Sequence, residues 1–114
     1  ERLSKRYRLV SLTNGNTDIA RTEVGQYFSA AVTPGAAGYA KPDARIFHFA
    51  CEAVGVLPAE ALHVGDHPDA DVRGAAGAGL HAAWLNRTRV AWVGEEAGYH
   101  EFHDLNGLCE WLGV

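Results

Sequence analysis

Three carboxylates, Asp66, Asp69 and Asp71, fall within six residues in the stretch Leu62-His-Val-Gly-Asp-His-Pro-Asp-Ala-Asp71. Carboxylates crowded this closely repel one another and are easier to hold around a cation. Mg²⁺ suits such a place, because it takes one or two carboxylates and keeps its remaining positions for water and phosphate. The plainer reading of Asp69 and Asp71 is that they decorate a helix N-terminus, where negative charge is favourable. Two other stretches carry complementary groups. Thr13-Asn14-Gly15 offers a hydroxyl, an amide and a flexible backbone, and Lys41 offers an ammonium. Thr13 and neighbouring backbone N–H groups can donate to phosphoryl oxygens. Lys41 supplies a compact positive charge against developing negative charge. Asp66 is then the metal ligand, and Asp71 either joins it or holds Lys41 or a metal-bound water. Taken singly, Thr13-Asn14-Gly15 is an ordinary turn and Lys41 an ordinary surface lysine. Their order and spacing together are the signal.

These residues need elements that bring them to one place. Tyr7–Leu12 is an apolar run that predicts a strand, broken at Thr13–Asn16 and followed by a helix over Thr17–Tyr27. Phe28–Val32 predicts a second strand and Thr33–Ala40 a loop. Lys41-Pro42-Asp43 opens a helix, with Ile46, Phe49, Ala50 and Ala53 recurring on one buried face and Gly55 as its stop. Ala61–Val64 predicts a third strand, and Pro68 suits the first turn of the helix that follows, over 69–78. Gly74 and Gly77 weaken that helix and suggest close packing on the sheet. Leu80–Leu85 predicts a fourth strand. Residues 87–100 give no clear pattern, and Leu105–Leu112 is a short amphipathic helix with Leu108, Trp111 and Leu112 inward. Strands alternating with helices imply parallel β-α-β units, an α/β Rossmann-like sheet flanked by helices. In such a sheet the carboxyl ends of the strands share one edge, where ligands bind. Thr13, Asn14, Lys41, Asp66 and Asp71 therefore converge, as an inventory for phosphate bound with Mg²⁺.

Composition bounds the rest. At 114 residues there is room for one small domain. The net charge of −4 gives no electrostatic case for nucleic acid, and no apolar run is long enough for a membrane span. Cys51 and Cys109 lie in helical patterns without metal-type spacing, which predicts reduced, buried thiols in a cytoplasmic protein. Residues 1–6 read as the tail of a helix, whose basic residues Arg2, Lys5 and Arg6 suit its C-terminus as a solvated face or, as the sharper alternative, a phosphate-attracting patch. His100 and His103 have the spacing of one helix face; a polar loop or helix start is the plainer reading than zinc. His63 and His81 read as satisfied sheet residues, His48 as exposed, and His67 as a turn residue or a substrate contact. There is no methionine, including at position 1, and the chain opens in mid-element, which predicts a fragment with its upstream portion missing.

The ordered motifs resemble the haloacid dehalogenase-like (HAD) hydrolase superfamily over nearly the whole chain. Leu9-Val-Ser-Leu-Thr-Asn-Gly15 looks like the second motif of that family, Lys41-Pro42-Asp43 like the third, and His63-Val-Gly-Asp-His-Pro-Asp-Ala-Asp71 like the fourth. The resemblance implies a HAD-like core in which Thr13, with Asn14 and Gly15 beside it, binds the transferring phosphoryl group. Lys41 steadies that group, Asp66 coordinates Mg²⁺ and Asp71 supports. It further implies a phosphatase acting through an aspartyl-phosphate on a small phosphorylated metabolite, of the kind represented by nucleotides, flavin mononucleotide or phosphoglycolate.

The family's first motif, an Asp-x-Asp pair on the central strand, is absent. Asp18, the earliest aspartate, falls in a predicted helix after the second motif. Residues 1–114 are thus expected to be the C-terminal portion of a core domain, incomplete at the N-terminus, with the nucleophile strand and cap as the missing partner. The chain alone is expected to lack turnover. A non-catalytic remnant that binds phosphate or Mg²⁺, or mediates assembly by pairing with another copy, is the alternative. Haloacid dehalogenases proper have serine and asparagine where Gly65-Asp66 stands, which favours the phosphatase reading.

Overall fold

The structure is a computed structural model and describes residues 1–14, 23–92, 94 and 98–114. The predicted helix over Thr17–Tyr27 lies largely outside the described residues; its last five, Glu23–Tyr27, form a 3-10 turn. Parallel strands flanked by helices form the α/β architecture expected of the chain. Strand β1 (Val10–Leu12) pairs in parallel with β2 (Ala30–Val32), Leu12 opposite Val32. Strands β3 (Leu62–Gly65), β4 (His81–Leu85) and β5 (His100–Phe102) form a second parallel sheet in the order β3-β4-β5.

The helices are α1 (Pro34–Ala37), α2 (Ala44–Ala53), α3 (Gly74–Gly77) and α4 (Leu105–Leu112). Helix α1 occupies the segment expected to be loop. Thr33 caps it, its Oγ1 accepting from the Ala36 N–H, and Pro34 enters its first turn, where a missing donor costs nothing. Asp43 caps α2 in the same way through the Arg45 N–H. Gly55, at φ +69°, ends that helix in the left-handed region that glycine reaches without a Cβ penalty.

The buried face of α2 differs from the expected one. Ile46, Phe47 and Cys51 are buried, whereas Phe49 is 39% exposed and Ala53 is exposed. Phe47 and Ile46 join Val32, Val72, Ala75 and Trp84 in the core. Gly74 packs against α2 and not the sheet: a Cβ there would lie 2.9 Å from Phe47 Cε2 and 3.0 Å from Pro42 Cβ. Gly77 has nothing within 4 Å of such a Cβ. His100 and His103 do not share a helix face. His100 starts β5 with its ring against Trp111, and His103 bonds Glu101 at 3.1 Å. Helix α4 buries Leu108 and Cys109, while Trp111 is 51% exposed and rests on the rings of His100 and Phe102. Both cysteines are free and buried. Residues 2–6 form turns and not the expected helix tail, and Arg2 and Arg6 reach instead the C-terminus of α4. Arg6 Nη1 donates to the Leu112 and Gly113 carbonyls and Arg2 Nη2 to that of Val114.

A groove of about 780 Å³ lies between the two sheets, lined by Leu9–Leu12 on one side and Leu62–Val64 on the other. Leu108 and Leu112 of α4 and Phe47 and Cys51 of α2 complete its apolar walls. The strands that border it each have one strand partner among the described residues, β1 pairing with β2 and β3 with β4. No helix among the described residues is long and apolar enough to cross a membrane.

Candidate active site

The strand β3 ends at Gly65, and the chain then makes a short bend through Asp66 and His67 before a wide helical turn at Pro68–Arg73. His67 caps that turn: its Nδ1 accepts from the N–H groups of Asp69 (3.1 Å) and Ala70 (3.0 Å). That leaves Nε2 as the proton-bearing nitrogen of the neutral ring. The turn has the 1→6 bonding of a π-helix, with the Val72 N–H donating to the His67 carbonyl at 3.2 Å. Such single wide turns occur often at functional sites. Here the turn brings the Asp71 side chain back over the end of β3. Trp84, 1% exposed, anchors the bend by donating Nε1–H to the Asp66 carbonyl at 3.0 Å.

Asp71 is the hub of the site. Its Oδ1 accepts from Lys41 Nζ at 2.6 Å and from His63 Nε2 at 2.9 Å, and its Oδ2 accepts from the His67 N–H at 3.1 Å. The Lys41 and Asp71 side chains are only 11% and 6% exposed. Burial by itself would raise the Asp71 carboxyl. The bonds from His63, Lys41 and the His67 N–H, with the charge of Lys41, outweigh burial and hold it well below the usual carboxylate range. Gly65 makes this seat possible, since a Cβ there would lie 2.2 Å from Asp71 Cγ.

Lys41 is fixed from its backbone as well. Asn14, just beyond β1, donates Nδ2–H to the Lys41 carbonyl at 3.1 Å and accepts from the Lys41 N–H through Oδ1 at 2.8 Å. The Asn14 amide, expected to bind phosphate, thus also ties the Lys41 backbone through one Nδ2–H and Oδ1. Thr13 ends β1, its N–H donating to the Val32 carbonyl at 3.2 Å. Gly15 lies outside the described residues. The bend thus draws Asn14, Lys41 and Asp71 into one bonded chain, with Thr13 adjoining Asn14 and Asp66 at the head of the same loop.

The crowding of carboxylates is relieved mostly by the protein's own cations. Asp69 pairs with Arg73 and Asp71 with Lys41. Asp66 is different: it is exposed, and among the described residues its carboxylate has no hydrogen bond or ion pair. Among those residues no group of three or more histidines, cysteines and carboxylates gathers at ligand distance. The donor set is thus one carboxylate unpartnered among the described residues, Asp66, beside Asp71, which accepts three hydrogen bonds, and this suits Mg²⁺ with a mostly water and phosphate shell. Through one of those bonds Asp71 holds the Lys41 ammonium directly.

Sequence reasoning missed His63. A histidine inside a strand carries no local sign of its partner, although its position two residues before Gly65 puts it on the same strand face as the seat of Asp71.

A model of the haloacid dehalogenase-like hydrolase family matches residues 1–79. The chain belongs to this family. Phosphoserine phosphatase of Thermus thermophilus is 44% identical over 84 residues, covering 69% of this chain and 34% of its own length. Human N-acylneuraminate-9-phosphatase is 35% identical over 94 residues, covering 77% and 38%. A solved 2-haloacid dehalogenase from Pseudomonas syringae superposes with a TM-score of 0.91 at 38% identity, covering 97% of this chain and 48% of that one. A HAD phosphatase from Thermococcus onnurineus gives 0.85 at 31%, covering 98% and 54%. The chain spans little more than a third of the length of these curated relatives and about half that of the solved ones.

Proposed function

We propose that residues 1–114 are the C-terminal portion of the core domain of a Mg²⁺-dependent HAD phosphatase acting on a small phosphorylated metabolite. The observation that carries this reading is the exposed Asp66 carboxylate, unpartnered among the described residues, at the head of the loop that holds the Lys41–Asp71 pair. A bare carboxylate there repels an anionic substrate unless a cation covers it. That favours a metal-dependent phosphatase over a metal-free dehalogenase, although dehalogenases are among the similar solved structures. The curated relatives named above are phosphatases, which supports the same choice.

In this reading Asp66 holds Mg²⁺, whose charge offsets that of the phosphoryl oxygens. Thr13 donates to one phosphoryl oxygen. Lys41, oriented by Asn14 through its backbone and by Asp71 through its ammonium, directs its remaining N–H bonds at the phosphoryl group and the nucleophile. The nucleophile is an aspartate on a strand outside residues 1–114, seated in the groove between β1 and β3. Its carboxylate oxygen bonds to phosphorus as the ester oxygen leaves, and water then cleaves the acyl phosphate to release inorganic phosphate.

The test is phosphate release from a panel of phosphomonoesters by a protein carrying these residues together with that strand. Turnover with Mg²⁺, absent in EDTA and absent from residues 1–114 alone, supports the proposal. Multiple turnover by pure residues 1–114, or chloride release from a 2-haloacid without metal, overturns it. Should no substrate be turned over while the isolated chain binds Mg²⁺ or phosphate, the non-catalytic reading takes its place.

A further inference from the structure

The two donors that meet on Asp71 Oδ1 come from different elements and different distances along the chain. Lys41 reaches it from the turn before α2 and His63 from within β3. The ionised carboxylate only accepts, so the His63 Nε2 bears the proton of this bond whatever the charge of the ring. The ring is held in plane by Phe47, edge to face at 5.0 Å and 83°, and its side chain is 12% exposed. Gly65, on the same face of the strand, leaves the carboxylate no side chain to lean on. Rotation of the carboxylate about its Cβ–Cγ bond is therefore resisted by His63 at one oxygen and by the His67 N–H at the other. If the His63 bond is lost, Oδ1 answers to Lys41 alone, and the pair can swing together.

We propose that His63 is a positioning residue for the phosphoryl-transfer reaction: through Asp71 Oδ1 it fixes the direction in which Lys41 presents its ammonium. The proposal rests on the phosphatase reading above. It concerns the step in which charge develops, so it predicts a loss in kcat and not in ground-state binding.

In the protein carrying both this chain and the nucleophile strand, His63→Leu lowers kcat on the order of 10- to 100-fold, as loss of a supporting hydrogen bond typically does. KM stays within about threefold of its starting value. His63→Gln, whose amide N–H can reach the same oxygen, recovers most of the loss. Far-UV circular dichroism verifies that both variants fold; where His63→Leu does not, His63→Asn, with a shorter reach, takes its place. Equal losses for the leucine (or asparagine) and glutamine variants, a rise in KM alone, or no change in kcat would overturn the proposal. A ¹⁵N-histidine spectrum of the unmodified protein separates this from failure of the phosphatase reading. Absence of phosphate release sinks that reading. In that case a His63 protonated at Nε2 still supports the placement, and one protonated at Nδ1 alone refutes it.

Discussion

Gly65→Ala is the smallest change that attacks the site at its hub. An added Cβ would lie 2.2 Å from Asp71 Cγ and 2.4 Å from Asp71 Cβ and Oδ2. Carbon atoms in contact sit about 3.5–4.0 Å apart, so the overlap exceeds 1 Å. Asp71 cannot yield by rotating its carboxylate alone, because its own Cβ is among the clashing atoms. Either the Pro68–Arg73 turn shifts, at the ~1–3 kcal/mol typical of overpacking, or the carboxylate leaves its donors. The second route strands Lys41 with a poorly solvated charge, and breaking a buried pair costs about 3–5 kcal/mol. The cheaper route sets the expected loss at ~1–3 kcal/mol, with about 5 as the ceiling, read as a lower guanidinium midpoint with the slope unchanged. Gly77→Ala is the internal control. It has open space around its Cβ and should leave stability unchanged or raise it by up to about 1 kcal/mol. A Gly65→Ala protein within about 0.5 kcal/mol of the original, the range of an ordinary surface change, would falsify the reasoning. So would a Gly77→Ala loss as large as that of Gly65→Ala.

Other consequences follow from the same bonds. Asn14→Ala removes two hydrogen bonds to the Lys41 backbone and should cost about 1–2 kcal/mol in a denaturation midpoint. An unchanged midpoint would mean the Asn14 clamp is not held in solution. The native Asp71 carboxyl lies below its unfolded value of about 3.9. Its ionisation therefore contributes stability that is complete above about pH 4 and is lost as pH falls through the native value. The stability gap between the wild type and Asp71→Asn should be widest near neutral pH and should close progressively below about pH 4. A gap that widens in acid would contradict the assigned bonds.

The strand ends were legible because each carries a strong local sign. An apolar run meets Thr-Asn-Gly at β1, and another meets Gly-Asp and a proline at β3. The Lys41–Asp71 contact could be anticipated because both residues follow strands whose carboxyl ends share one edge of a parallel sheet. The face of α2 could not, since Ile46, Phe47, Phe49, Ala50, Cys51 and Ala53 are apolar around most of the helix, and only the packing of Phe47 under His63 and Gly74 selects one side. Strand β5 is three residues, His100-Glu-Phe, with no apolar run to announce it. The bond of Asn14 to the Lys41 backbone was not legible, because a carboxamide bonds a phosphate or a peptide equally well and this partner lies 27 residues away. Trp111 reads as a core residue by type, but it covers β5 from outside.

The most direct measurement is phosphate release, with and without Mg²⁺, from the protein that carries this chain with its nucleophile strand, compared with its Asp66→Asn variant. The account predicts turnover that requires Mg²⁺ and falls on the order of 10²-fold or more when the Asp66 carboxylate, unpartnered among the described residues, becomes an amide. Equal turnover in EDTA, or an Asp66→Asn protein as active as its parent, would contradict it.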